Sequence, residues 1–429
     1  MTARFSRILV VAAGFALSVP PLSPTAVAQA PRAGAPPSAD WPQWLGPSRT
    51  GVAAATGIVP KGSVSLRVAW RRPLGVGTAG LSVAGDTLVT LDSDAPRVSA
   101  VALSARDGAV LWRAPLDEGL PDEERGPAST HAVADGQAYV LSPACQLRAL
   151  ELATGKTTWH VDLKARFAAA PRQGCASSPL LEGDLVVVQP GAAEDHRVVA
   201  FHRRTGELAW SAKGIARASY SSPGVRASGS ERQVLVHHTD VTKPDAPRGG
   251  VTALGARDGK LLWHTTLDRY WSWSTPVPFG DDSVLLVTWN DATAWRVPRE
   301  SGPPAAPLWT SGAFSYYVGL PVYHEGHLYG HGGDFLRCVR VRDGATVWEE
   351  KTYPGSVALV DGHLAVLSVT AGLVRLVEAT PAGYRERARL LALARGARAE
   401  AAPSVVGRRV FARNDEEVVA VEIFGTEPG

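Results

Sequence analysis

The chain has 429 residues, 45% of them hydrophobic and 20% charged, which is enough apolar material to bury a sizeable core. Its 44 basic and 41 acidic residues leave a net charge of +3, excluding a strongly basic nucleic-acid binder and an acidic tail. The 43 glycines and 32 prolines suit a turn-rich fold rather than a helical bundle, and 13 tryptophans stand beside a single methionine.

Residues 1–30 read as a secretory signal. Arg4 and Arg7 precede an apolar run over residues 8–19, and Ala28-Gln29-Ala30 supplies a small-x-small cleavage pattern. That run is shorter than the ~20 apolar residues a membrane-spanning helix needs. No cysteine lies near the cleavage point, so a lipoprotein is not expected. The mature chain is expected to be soluble and exported, periplasmic or secreted, with no transmembrane segment. Residues 31–60 read as a linker and Trp-rich lead-in, residues 61–424 as the folded domain and residues 425–429 as a tail.

From residue 66 onward a repeat governs the chain. The segment VALSARDGAVLW ends at Trp112, LRALELATGKTTW at Trp159 and VAFHRRTGELAW at Trp210, with further copies ending at Trp263 and Trp348. In each of the five a turn glycine (Gly108, Gly155, Gly206, Gly259, Gly344) stands four residues before the tryptophan. A longer variant places Gly302 before Trp309. From Trp70 the successive spacings are 42, 47, 51, 53, 46 and 39 residues.

Each copy reads as an apolar–polar strand, an Asp-Gly or Thr-Gly turn and a strand ending in Trp. A hairpin precedes it, turning at Gly85-Asp86, Asp135-Gly136, Gly183-Asp184, Gly280-Asp281, Glu325-Gly326 and Asp361-Gly362. Four strands in about 40–50 residues is the period of a propeller blade. Inner strands begin near Leu81, His131, Ser178, Ser222, Thr275, Gly319, Ser356 and Ala402. The pattern predicts an all-β fold, an eight-bladed propeller of four-stranded antiparallel blades. The last blade lacks an outer strand, which residues 66–72 at the other end of the domain can supply, leaving no open edge. Seven blades is the competing count, because Tyr384 to Leu390 carries no tryptophan. Trp70, Trp112, Trp159, Trp210, Trp263, Trp309 and Trp348 are expected to dock one blade on the next rather than to form a cofactor cage.

The blade signature resembles the pyrroloquinoline-quinone-like (PQQ-like) β-propeller superfamily. The stretch DWPQWLGPSRTG from Asp40 to Gly51 is similar to the opening of exported members, which usually carries Arg where Leu45 stands. The resemblance covers residues 40–423 and points two ways. Quinoprotein dehydrogenases bind PQQ and Ca²⁺ in the central funnel and oxidise alcohols or sugars. The propeller subunit of the outer-membrane β-barrel assembly machinery has no catalytic role. The alcohol-oxidising members carry adjacent cysteines, which this chain lacks, and their Ca²⁺-binding Glu, Asn and Asp have no matching motif here. The expectation is therefore a non-catalytic exported binding scaffold without a cofactor, with PQQ and calcium implied only under the dehydrogenase alternative.

Candidate chemistry is sparse. His324, His327 and His331 around Glu325-Gly326 lack the helical spacing of a zinc site and fall on a hairpin turn. His237 and His238 are strand neighbours and face opposite ways. The acidic run from Asp117 to Glu124 reads as a solvated loop. The segments joining one blade to the next hold Arg217, Tyr220, Arg269, Trp271, Trp273, Tyr316 and Tyr317. Aromatics beside arginines in blades four to six suit an anionic or planar ligand, or a partner's hot spot. A protein partner in the cell envelope or a small ligand is expected for a monomeric chain, and no nucleic acid.

Three cysteines remain. Cys145 and Cys175 fall in connections that emerge on one face of adjacent blades, which makes them a candidate disulfide closing a loop of about 30 residues. Cys338 lies inside an alternating strand and reads as a small buried hydrophobe.

Overall fold

A computed structural model describes residues 40–426, apart from residues 55, 95, 119–125, 170–173, 192–196, 214, 216–220, 230, 240–248, 268–273, 303–305 and 316–318. The segment read as a signal peptide lies outside the described residues. Eight four-stranded antiparallel sheets form the fold. Blade 1 shows the plan: Ser82–Ala84 innermost, then Thr87–Asp94, Arg97–Ser104 and Val110–Glu118 at the rim. Blades 2 to 7 repeat it over residues 132–162, 180–211, 224–264, 277–311, 322–351 and 355–391. Blade 8 combines Ser404–Val406, Arg409–Arg413 and Glu417–Thr426 with Ser63–Pro73 from the start of the domain. That strand runs antiparallel to Glu417–Thr426 from Ser63↔Thr426 to Pro73↔Glu417, with a bulge between Val68 and Trp70. The ring is thus closed by the N-terminal strand, and blade 7 is a full blade despite its missing tryptophan. Ala388, paired with Leu376, occupies that tryptophan's place.

Neighbouring blades are locked by one repeated contact. Trp70 sends its indole N–H to the Ala105 carbonyl of blade 1 at 3.1 Å, and Trp112 reaches the Leu152 carbonyl of blade 2 at 2.8 Å. Trp159, Trp210, Trp309 and Trp348 do the same to Arg203, Ala256, Val341 and Thr380. The turn glycine explains the spacing. A Cβ on Gly108 would stand 2.6 Å from the Trp70 ring, and one on Gly259 2.5 Å from Trp210. The glycine four residues before a tryptophan therefore belongs to the preceding blade's tryptophan, which lies flat over it. Trp263 departs from the pattern. It is buried between blades 4 and 5 but donates to the Gln233 side chain of its own blade at 3.1 Å. Gly302, in the longer turn that follows, meets only Pro298.

Inner strands are stitched by hydroxyls around the axis. The Gly80, Thr130 and Ser178 amides donate to Thr130 Oγ1, Ser178 Oγ and Ser222 Oγ of the next blade at 2.8, 3.0 and 2.9 Å. Ser404 Oγ closes the ring by donating to the Leu81 carbonyl at 2.7 Å. Small polar residues at these positions let inner strands converge while these buried amides keep partners.

Residues 40–59 are packed across the mouth that carries the hairpin turns. Trp41 exchanges backbone hydrogen bonds with Val83 of blade 1, and the Pro42 carbonyl accepts from Val133 of blade 2 at 2.7 Å. Gln43 Oε1 accepts from Leu181 of blade 3, and Trp44 Nε1 donates to Thr275 Oγ1 of blade 5 at 3.2 Å. Leu45 packs among residues of blades 5 and 6, and Ala53 bonds to Leu359 of blade 7. Arg49, fully buried, donates to the Pro179 and Ser178 carbonyls at 2.8 and 3.2 Å. Burial without a carboxylate partner pulls its pKa down to about 9.

Candidate functional site

The lead-in leaves the opposite mouth as the open one. The strand ends opposite the hairpin turns face that way in each described blade. The sequence-predicted surface, Arg217, Tyr220, Arg269, Trp271, Trp273, Tyr316 and Tyr317, lies outside the described residues. Its flanking strands are described: Leu208–Ser211 and Gly224–Ser228, Leu261–His264 and Val277–Phe279, Pro307–Ser311 and Val322–His324.

The floor of that mouth is polar and buried. His131 is inaccessible, and neither ring nitrogen has a hydrogen-bond partner. Ser177 Oγ, both amide atoms of Gln189 and Asn414 Nδ2 are likewise buried without a protein partner. Such groups in native interiors are met by ordered water or ligand. Arg413, which acts on His131 and precedes Asn414, donates to the Leu91 carbonyl at 2.6 Å and to Thr90 Oγ1 at 2.9 Å, with burial lowering its pKa to about 10. The sequence reading passed over these residues. Their signal was a polar side chain at the first residues of an inner strand or just after the second strand, repeated in several blades.

Burial also holds imidazoles neutral. It pushes His131 and His237 down to about 3, and His331, whose Nε2 lies 3.0 Å from Thr352 Oγ1, down to about 4. In the unfolded chain these groups titrate near ~6.5, so below that pH the unfolded state binds more protons than the folded one. Stability is therefore full above about pH 6.5 and falls as pH drops towards 4, by up to about 1.4 kcal/mol per pH unit for each group. Urea midpoints at pH 7, 6, 5 and 4.5 should decline accordingly, and His131→Gln should lower the slope by about one proton. A midpoint flat across that range contradicts neutral burial.

Cys145 and Cys175 are joined on the open face, with Cα atoms 5.1 Å apart at a sequence separation of 30. Both are buried, and the short helix Leu163–Phe167, capped by Asp162 Oδ1 on the Ala165 amide at 2.9 Å, lies within the loop they close. Cys338 is buried and free. Denatured, unreduced protein should show one reactive thiol, and reduction should cost about 3–4 kcal/mol by loop entropy. Three reactive thiols would rule out the bridge in solution.

The family model described as outer membrane protein assembly factor BamB matches residues 96–350 and 247–428. The chain belongs to that family of PQQ-like propellers. Among curated proteins, the dehydrogenase subunit of a quinone alcohol dehydrogenase from Komagataeibacter europaeus is 28% identical over 206 residues, 42% of this chain and 25% of that protein. The corresponding subunit from Gluconobacter oxydans is 28% identical over 200 residues, 41% of this chain and 24% of that protein. The chain thus matches about a quarter of the length of these relatives. Among solved structures, BamB from Moraxella catarrhalis superposes with a TM-score of 0.59 at 16% identity, covering 85% of this chain and 99% of that one. The quinohemoprotein alcohol dehydrogenase from Comamonas testosteroni gives 0.65 at 14% identity, covering 91% and 82%. At such identities the likeness is one of fold.

The quinoprotein branch raises the question of PQQ and Ca²⁺. Among the described residues no three His, Cys, Asp or Glu side chains are placed to hold a metal ion. His324 and His327 flank a hairpin turn, and His238 Nδ1 is engaged by Thr252 Oγ1 at 2.9 Å. Asp117 is occupied by Arg148 and the Ala144 amide. Among the described residues, these side chains assemble no cation site for such a pair. No helix among them is long and apolar enough to cross a membrane.

Proposed function

We propose that the protein is an exported, non-catalytic scaffold that binds a protein partner in the cell envelope through the open mouth, in outer-membrane protein assembly. The observation that supports this most is the family match itself, which runs from the third strand of blade 1 to Glu417–Thr426 of blade 8. The channel is filled from the other side by Gln43, Trp44 and Arg49, which leaves one free face for a partner. Trp271, Trp273 and Tyr317 supply aromatic anchors of the kind that dominate such contacts, and Arg217 and Arg269 supply charge.

Two measurements test the reading. Incubation with PQQ and Ca²⁺ followed by gel filtration should leave no quinone absorbance on the protein and no alcohol-dependent dye reduction. Retained quinone with turnover would replace the scaffold by a dehydrogenase. Deletion of the gene should lower the amount of folded β-barrel protein in the outer membrane, and the combined Trp271→Ala, Trp273→Ala and Tyr317→Ala chain should fail to restore it while melting as the wild type does. Full restoration by that variant would remove the open mouth from the proposal.

A further inference from the structure

The lead-in that seals the turn-bearing mouth meets the inner strands of blades 1, 2, 3, 5, 6 and 7, but it stands away from blade 4. A cleft of about 680 Å³ opens there, between Ser48 and Thr50 of the lead-in and the hairpins of blades 4 and 5. Its volume is that of a small-molecule site. Phe279 and Tyr323 form an apolar wall, and Arg226, Arg232 and Arg299 supply charge.

The inner hairpin of blade 4 is longer than its neighbours: seven positions separate Ser222 from the turn at Gly229, against five from Thr130 to Asp135 and from Ser178 to Gly183. Arg226 pairs with Gln233 in that hairpin. Counted from the ring hydroxyls, it takes the place that Ala134 and Glu182 hold in blades 2 and 3. A guanidinium there is 5% exposed; one amino group donates to Ser228 Oγ at 3.1 Å and the other has no partner. Neither Arg226 nor Arg299 has a carboxylate within 4 Å among the described residues, Asp282 acting on Arg226 only from farther off, whereas Arg232 is held by both oxygens of Glu182 at 2.8 Å. Asp281 is the one carboxylate on the lining. Burying an unpaired cation is costly, so a positive charge at this register needs a compensating anion. The Arg299 backbone is fixed to the same spot, its carbonyl accepting from Gln233 Nε2 at 2.9 Å and from Ser228 Oγ.

We propose that this cleft binds an organic oxyanion, a carboxylate or phosphate carried on a flat apolar body. The anionic group sits against Arg226 and Arg299, the apolar part lies on Phe279 and Tyr323, and the Ser48 and Thr50 hydroxyls close over it. The site is on the face away from the partner-binding mouth, so it stands or falls independently of the scaffold reading.

The probes are 1-naphthyl phosphate, 1-naphthoate and the neutral 1-naphthol, titrated calorimetrically into the full mature protein at low salt. At least one of the two anions should bind with one-to-one stoichiometry and the neutral analogue should not; whichever binds identifies the oxyanion. Arg299→Gln, an exposed position, should weaken binding about tenfold, and Arg226→Met should abolish it. The same Arg226→Met change should leave the melting temperature equal or higher, because it removes a buried unpaired charge that a purely structural arginine would not carry. Arg67→Gln, on the rim, should bind as the wild type. Absence of binding by both anions, equal binding of 1-naphthol, or unchanged affinity in Arg299→Gln would overturn the proposal.

Discussion

Deleting residues 61–74 should yield a protein that aggregates or fails to fold. That segment is the outer strand of blade 8, paired along its length with Glu417–Thr426. Its loss strips the partner from a ten-residue edge strand, which then offers a template for intermolecular pairing. It also removes Trp70 from its seat over Gly108, and with it the blade 8–blade 1 lock. Losing a buried tryptophan alone costs about 3–5 kcal/mol, a large part of the ~5–15 kcal/mol that holds a typical domain together. Size-exclusion chromatography and a thermal melt decide the matter. A monomer with an unchanged melting temperature would show that blade 8 closes by other means.

The second large effect should appear at the lock between blades 3 and 4. Trp210→Ala should destabilise the protein by about 3–5 kcal/mol, since the ring is 7% exposed and its N–H is bonded to Ala256 at 3.1 Å. Gly259→Ala should cost about 2–4 kcal/mol. The position has φ of +69°, where a side chain is strained by about 1–2 kcal/mol, and the new methyl would stand 2.5 Å from the indole. In the double variant the clash is gone and only the backbone strain adds to the tryptophan loss. The two costs should therefore fall short of additive by about 1–2 kcal/mol in a double-mutant cycle on urea midpoints. Strict additivity would mean that Gly259 is needed for its backbone conformation alone.

How much of this was legible in the sequence depends on how local the signal was. Hairpin turns and tryptophans recur at a period set by the blade, so the blade count and the closing strand could be read directly. The meaning of Gly108 or Gly259 could not. Their spacing to the next tryptophan is a local fact, while the ring they serve comes from the blade before. Residues 40–59 have no strand pattern, because their hydrogen bonds go to turns and inner strands scattered over blades 1, 2, 3, 5 and 7, and so they read as a linker. The buried role of Arg49 was hidden for that reason. The setting of Arg226 was hidden too, because the extra length of its hairpin shows only once the inner strands are aligned through the ring hydroxyls. The predicted aromatic surface rests on the sequence and on the strands that flank it.

The closing strand sets the order of events when the chain folds. Residues 63–73 leave the ribosome and cross any export channel long before residues 417–426 exist to receive them. The lead-in before them must likewise wait for inner strands as late as blade 7. Contacts this distant in sequence are slow to form and leave partly made sheets exposed in the meantime. Residues 40–73 are thus held unfinished until the last strand arrives. A polypeptide stopped anywhere short of blade 8 is a ring that cannot shut, and it should depend on chaperones or proteases rather than persist as a smaller propeller.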